Sequence, residues 1–217
     1  MKNYDILLFD LDGTLTDSAE GIMNCAEHAL NVMGIAEPDR SRLLRFIGPP
    51  LVDSFMDFYG MSREDALKAV AAYRERYPVK GIFENRVYDG IPEALDMLKK
   101  GGKRLAVATS KPEVYAKRIL EHFGLAEYFE VVTGAELSGK RNAKAEVIEE
   151  CLKRLGNPDK ETVLMIGDRK HDVEGAKLCG VKCAGVKFGY AEENELENAG
   201  AVCVFDTPVQ LAGELLS

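Results

Sequence analysis

An α/β architecture, a doubly wound parallel sheet carrying an inserted all-helical segment, is predicted by three features of the sequence. Short apolar runs recur along the chain, helical periodicity fills the gaps between them, and one long stretch near the amino terminus holds helical patterns alone. Runs such as Leu105-Ala106-Val107-Ala108 and Val163-Leu164-Met165-Ile166 are continuous rather than alternating, which suits strands covered on both faces. Strands separated by helices need crossover connections, and crossovers lay helices on both sides of a parallel sheet.

The first strand is expected over 4–10. Residues 17–84 then break the alternation with helical patterns at 18–33, 39–46, 50–59 and 62–76. Gly34, Gly48-Pro49-Pro50 and Gly60-Met61-Ser62 punctuate them, with Ser62 placed as an N-cap three residues before Asp65. This segment reads as a helical cap, residues 17–84, inserted into a core made of 1–16 and 85–217. The core continues as helix 91–99, strand 103–109, helix 114–123, strand 129–133, helix 144–155, strand 162–167, helix 173–179 and strand 181–186. A weaker strand at 201–205 and a helix at 209–216 close it.

Composition narrows the function classes. With 217 residues, 46% of them hydrophobic and 29% charged, the chain can bury a sizeable core without staples. A net charge of −8 argues against wrapping nucleic acid or coating an anionic membrane, both of which need a positive footprint. A small anionic substrate is compatible with it, because a metal and a few lysines can invert the field locally. Cys25, Cys151, Cys179, Cys183 and Cys203 are odd in number and never spaced as CxxC, so they read as reduced thiols. Met1-Lys2-Asn3 leads straight into a strand and no apolar run approaches ~20 residues, which points to a cytoplasmic protein without a spanning helix.

Four motifs carry chemistry. In Phe9-Asp10-Leu11-Asp12-Gly13-Thr14, a strand ends in two carboxylates two residues apart, hence on one side of the chain. Like charges so close call for a cation or a proton; a solvated acidic turn is the bland alternative. In Val107-Ala108-Thr109-Ser110-Lys111-Pro112, a strand ends in two hydroxyls before a helix, where an anion can meet free N–H groups. Ser110 would equally serve as that helix's N-cap, with Pro112 in the first turn. Lys144 opens a helix, where its charge opposes the dipole unless an anion stands in front of it. Lys140 and Arg141 could do the same work, or all three could belong to a solvated basic loop. In Ile166-Gly167-Asp168-Arg169-Lys170-His171-Asp172, a strand again ends in acid, and Asp172 sits where a helix starts and could simply cap it. A parallel sheet brings the carboxyl ends of its strands to one edge, so Asp10, Asp12, Thr109, Lys144, Asp168 and Asp172 are expected to converge there.

Together, Asp10-x-Asp12-Gly13-Thr14, Thr109-Ser110, Lys144 and Gly167-Asp168-x-x-x-Asp172 resemble the haloacid dehalogenase superfamily of phosphohydrolases. The resemblance covers the whole chain, since the helical insertion falls where that superfamily carries its C1-type cap on a Rossmann-like core. Thr16-Asp17-Ser18 and Phe46-Ile47-Gly48-Pro49-Pro50-Leu51 are most similar to the phosphoglycolate phosphatase group and its nucleotidase-like relatives. It implies that Asp10 is the nucleophile, forming an aspartyl phosphate, and that Asp12 is the general acid and base, a role requiring a proton on Asp12 at the first step. It also implies Mg²⁺ held by Asp10, the Asp12 backbone carbonyl and Asp168, with Asp172 behind them. The charge balance agrees, because three carboxylates and a phosphate dianion total about −5 against +1 from Lys144. Thr109, Ser110 and Lys144 would stabilise the transferring phosphoryl group. Arg45, Gly48 and Lys111 are candidates to meet the rest of the substrate, although Arg45 could be a solvated helix charge.

The partner implied is a small phosphorylated metabolite, with no nucleic acid and no membrane, and with the protein a monomer or homodimer. Phosphoglycolate comes first by the resemblance; nucleoside 5′-monophosphates and pyrophosphate fit the same core chemistry. An acid at position 12 argues against the haloalkanoate dehalogenases and phosphonate-cleaving members. A β-phosphoglucomutase-type phosphomutase shares all four motifs, and a phosphate-binding protein without catalysis is the non-enzyme alternative. The cap is expected to hinge near Leu15 to Asp17 and near Ile82 to Asn85, with Phe46, Leu51 and Phe55 forming its core.

Overall fold

The computed structural model describes residues 4–138 and 140–217. In chain order the strands are β1 (Ile6–Phe9), β2 (Thr16–Asp17), β3 (Arg86–Val87), β4 (Arg104–Pro112), β5 (Val131–Ala135), β6 (Val163–Gly167), β7 (Lys182–Val186) and β8 (Val204–Phe205). The α-helices are α1 (Ala19–Val32), α2 (Leu51–Tyr59), α3 (Arg63–Arg76), α4 (Ile91–Lys100), α5 (Glu113–His122), α6 (Lys144–Arg154), α7 (Lys170–Leu178), α8 (Glu195–Ala199) and α9 (Pro208–Leu216). The chain divides into two compact units, Met1–Thr16 with Val87–Ser217, and Asp17–Arg86.

The larger unit is built on a six-stranded sheet in the order β5-β4-β1-β6-β7-β8, with every pairing parallel. The reversal of direction falls at β1, where Leu8 lies opposite Ala106 on one side and Met165 on the other. All four residues of β1 are buried, which explains why its sequence is an unbroken apolar run. One face of the sheet (Ile6, Leu8, Ala106, Ala108, Val163, Met165) packs on Val147, Ile148 and Cys151 of α6 and on Val173 and Ala176 of α7. The other face turns Phe9 and Ile166 toward Ile91 and Leu95 of α4 and Leu211 of α9. The ligand crevice of an open α/β sheet lies at such a reversal, beyond the carboxyl ends of the strands.

The smaller unit is helical between the ends of the two-stranded ribbon β2-β3. Ser62 caps α3 as expected, its hydroxyl accepting from the Asp65 N–H at 3.1 Å. Residues Arg40–Phe46 form a 3₁₀ helix rather than an α-helix. Seven residues between the Asp39 cap and the Gly48-Pro49-Pro50 stop leave few i→i+4 bonds to offset nucleation. Phe46 and Phe55 are buried with ring centroids 4.8 Å apart, so they are core. At the unit's base, Arg76 grips Glu84 through two bonds of 2.6 and 2.7 Å, and the Gly21 N–H donates to the Glu84 carbonyl at 2.9 Å.

In the larger unit, α5 starts at Glu113 with Pro112 at its cap position, so Ser110 is not an N-cap but part of β4. The pairing with β5 carries the strand three residues past the expected end. Helix α7 begins three residues before its first apolar position because Asp172 accepts the Arg169 N–H at 3.0 Å. The five-residue α8, between left-handed Asn194 and Gly200, is too short to leave a period in the sequence. All five cysteines are thiols, and no helix among the described residues is long and apolar enough to cross a membrane.

Leu8 has no exposed surface and sits between two neighbouring strands. Leu8→Ala should therefore lower the unfolding free energy by about 3 kcal/mol in urea titrations. A loss below about 1 kcal/mol would contradict the packing described.

Candidate active site

The site grows from the end of β1. Asp10 N–H donates to the Ile166 carbonyl at 2.9 Å, extending the sheet ladder one residue past Phe9 and fixing where its carboxylate emerges. The chain then curls tightly: Gly13 N–H donates to Thr16 O at 2.8 Å and Thr16 N–H to Leu11 O at 3.0 Å. Gly13 has φ of +84°, and a Cβ on it would overlap the Asp168 carboxylate, so only glycine closes this turn.

Lys144, at the first turn of α6, runs its stem past Gly175 of α7, where a Cβ would come within 2.7 Å of Lys144 Cγ. Its ammonium, almost fully buried, lies 2.8 Å from Asp10 Oδ1 and 2.6 Å from Asp172 Oδ1. It also donates to the Ala108 carbonyl at 3.0 Å. This is the anion that the helix-start lysine required. Asp168, at the end of β6, is buried; its Oδ1 accepts from Thr14 Oγ1 at 3.2 Å and its Oδ2 from the Tyr190 N–H at 2.8 Å. Oxygens of Asp10, Asp168 and Asp172 lie within 4.8 Å of one another.

Burial first, then repulsion from Asp172 and Asp10, drives the Asp168 carboxyl well above the ordinary aspartate range. Burial also raises Asp172, to about 6, against the opposing pull of Lys144 and with added repulsion from Asp10. For Lys144 burial would depress the ammonium, but Asp10 and Asp172 outweigh it and hold the group above an ordinary lysine. The ammonium has two carboxylate partners, which is why it moves upward, whereas burial and neighbouring carboxylates govern Asp168. The donor set fits a hard divalent cation: three clustered carboxylate oxygens, two of the side chains buried, and too little positive charge among them.

Thr109 is buried, and its hydroxyl accepts the Lys111 N–H at 3.2 Å; Ser110, half-buried, follows it. Neither opens α5, whose first turn begins beyond Pro112. Lys111 is directed at the site: its Nζ lies 2.6 Å from Asp12 Oδ2. Arg141 is engaged at the sheet edge, with Glu113, Glu136 and the Gly134 carbonyl, and Lys140 is exposed. In the helical unit, Arg45 is exposed with its guanidinium 4.5 Å over the Phe58 ring, and Gly48 occupies a left-handed turn.

Two contributions escaped the sequence reading. The Lys111 to Asp12 ion pair is one. The loop after β7 is the other: Tyr190 offers its N–H to Asp168, and a Cβ on Gly189 would overlap Gly13 O and the Asp168 side chain. A Gly-aromatic pair just past a strand end, Gly189-Tyr190, was the available signal.

Asp168 binds a proton more tightly in the folded chain than in the unfolded one, so its ionisation costs stability increasingly as pH rises. An asparagine there can accept from Tyr190 and donate to Thr14 without that cost. Asp168→Asn should therefore gain thermal midpoint on wild type, both in chelator, as pH goes from 5 to 8. A difference that shrinks over that range would contradict the electrostatics above.

The haloacid dehalogenase-like hydrolase family model matches residues 7–186. A 5′-nucleotidase of Pseudomonas aeruginosa is 50% identical over 89% of this chain and 87% of its own length. A Mycobacterium tuberculosis protein named tyrosine-protein kinase PtkA is 41% identical over 94% of this chain and 69% of its own. The crystal structure of a predicted phosphatase from Clostridium acetobutylicum superposes with a TM-score of 0.94 and 45% identity over 99% of both chains. With carboxylates, lysine and hydroxyls gathered at the strand ends of a parallel sheet, and with these likenesses in hand, the chain belongs to the haloacid dehalogenase-like hydrolases and is a hydrolase of phosphate esters.

Proposed function

We propose that the enzyme hydrolyses small phosphate monoesters, nucleoside 5′-monophosphates foremost, through an aspartyl phosphate on Asp10. The observation that carries this reading is the Asp10 carboxylate beside the buried Lys144 ammonium, with Asp12 two residues further along the same strand end. In the first step an Asp10 oxygen bonds to phosphorus while the bond to the ester oxygen breaks, and a proton passes from the Asp12 carboxyl to that oxygen. In the second, water attacks phosphorus, gives its proton to Asp12, and the Asp10 carboxylate leaves. Splitting the displacement in this way replaces one difficult step with two easier ones. Thr109, Ser110 and Lys144 hold the phosphoryl oxygens between the steps.

Asp10, the Asp12 backbone carbonyl and Asp168 would hold Mg²⁺, with Asp172 bracing the arrangement through Lys144. The bound cation supplies charge neutralisation on the phosphoryl oxygens. The raised Asp168 and Asp172 carboxyls support it, since both are buried and repelled by neighbouring carboxylates.

The resemblance put phosphoglycolate first. The 50% identity to a 5′-nucleotidase supports moving nucleotides ahead of it. In this reading Arg45 and Gly48 of the helical unit, which lie outside the four motifs, contribute to the choice among esters. The thiol cysteines support a cytoplasmic enzyme acting on a soluble metabolite. The kinase name of the mycobacterial relative suggests passing the phosphoryl group to an acceptor hydroxyl instead of water, which would consume the phosphoryl donor without releasing inorganic phosphate.

Purified protein with Mg²⁺ should release inorganic phosphate from nucleoside 5′-monophosphates, with smaller rates on phosphoglycolate and pyrophosphate, without any added sugar bisphosphate. Asp10→Asn and excess chelator should each lower the rate by at least about a thousandfold. If no ester is cleaved above the Asp10→Asn background, the phosphatase reading fails.

A further inference from the structure

We infer that Lys111 is the positioning residue of Asp12: it pins one carboxyl oxygen so that the other faces the oxygen to be protonated. The inference deepens the proposed function and rests on it.

Lys111 reaches Asp12 because β4 leaves its register. Thr109 lies opposite Gly134 and Pro112 opposite Ala135, so Ser110 and Lys111 are two extra residues against a single step of β5. Bulges of this kind re-aim side chains at sheet ends. The bulge lies directly on Gly134, where a Cβ would come within 2.5 Å of the Lys111 carbonyl oxygen and 2.6 Å of Glu113 Cα. The Thr109 hydroxyl, accepting the Lys111 N–H, fixes the backbone from the other side.

At the end of this support, Lys111 Nζ meets Asp12 Oδ2 at 2.6 Å, with side chains only 6% and 12% exposed. The other oxygen, Asp12 Oδ1, is buried and takes no hydrogen bond. Separating a buried ammonium from its carboxyl partner would strand both charges, so the pair resists turning apart. The pinned oxygen accepts from the ammonium whether or not Oδ1 carries the proton, so one orientation serves both halves of the reaction. Lys144, engaged by Asp10, Asp172 and the Ala108 carbonyl, is committed elsewhere. Lys111 was expected to meet the rest of the substrate; its geometry points it at the proton donor instead.

The test uses leaving groups. An alkyl phosphate needs its oxygen protonated as the bond breaks, whereas p-nitrophenyl phosphate has a leaving group stable without a proton. Lys111→Met should lower kcat on a nucleoside 5′-monophosphate by about 100-fold and on p-nitrophenyl phosphate by less than about 5-fold, in pre-steady-state phosphorylation bursts. KM should change little, and Lys111→Arg should recover part of the lost rate. Gly134→Ala, which displaces the bulge through the Lys111 backbone and leaves its side chain unaltered, should show the same dependence on leaving group with a smaller loss. Equal losses on both esters in both variants, or a raised KM with kcat retained, would overturn the assignment while leaving the phosphatase reading standing. A wild type no faster than Asp10→Asn would overturn both.

Discussion

Two of three clustered carboxylates share one buried ammonium, and much of the larger unit is arranged around that imbalance. Lys144 can sit beneath the strand ends only because α6 begins there and because Gly175 lets α7 pass against its stem. Its contacts tie together the end of β1 through Asp10, the end of β4 through the Ala108 carbonyl and the start of α7 through Asp172. Removing either side of such a buried pair typically costs about 3–5 kcal/mol, because the remaining charge is stranded. A cluster of this kind contributes little to folding by itself. It persists at the reversal point of the sheet, where burial and a hard cation can act on the same oxygens.

Asp168 illustrates how the scaffold compensates for crowding. Two loops from different strands converge on this one side chain, the Gly13 turn after β1 and the Gly189-Tyr190 segment after β7. Both glycines are there because any larger residue would occupy the carboxylate's place. Hydrogen bonds from Thr14 and Tyr190 fix its orientation without supplying charge. The carboxylate we propose as a metal ligand is thus oriented by the protein alone, while its electrostatic deficit is kept.

What was legible in the sequence follows from this geometry. A continuous apolar run announces a buried parallel strand, and the residue at its end is then bound to lie at the crevice edge. Asp10, Thr109 and Asp168 could be placed by that rule, Lys144 and Asp172 by the helix starts they occupy, and the sheet's strand order agrees. Features depending on contacts between distant loops were not legible. The turn of Lys111 toward Asp12 comes from a register slip against Gly134, some twenty residues away, and the clamp on Asp168 comes from the loop after the neighbouring strand β7. The N-cap alternative for Ser110 fails for a local reason: a hydroxyl two residues before proline is an ordinary cap signal, but pairing with β5 keeps that segment in strand. Arg45 showed as a charge on a helical turn, and its seat over Phe58 needed the packed unit to be seen.

The cations at these strand ends are committed to protein partners. Lys144 answers to Asp10 and Asp172, Lys111 to Asp12, Arg141 to Glu113 and Glu136, and Arg169 to Glu195. Each of these pairs is partly or wholly buried, where exchanging a fixed partner for a substrate group would carry a desolvation cost. The core can therefore recognise a phosphoryl group, which every monoester presents, but has little left with which to read what the phosphate is attached to. Discrimination between a nucleoside, a glycolate and a second phosphate must then arise from residues outside the four motifs. That separation lets a fixed phosphoryl-transfer core serve many substrates, because the residues that choose the ester can change without disturbing the charges that cleave it.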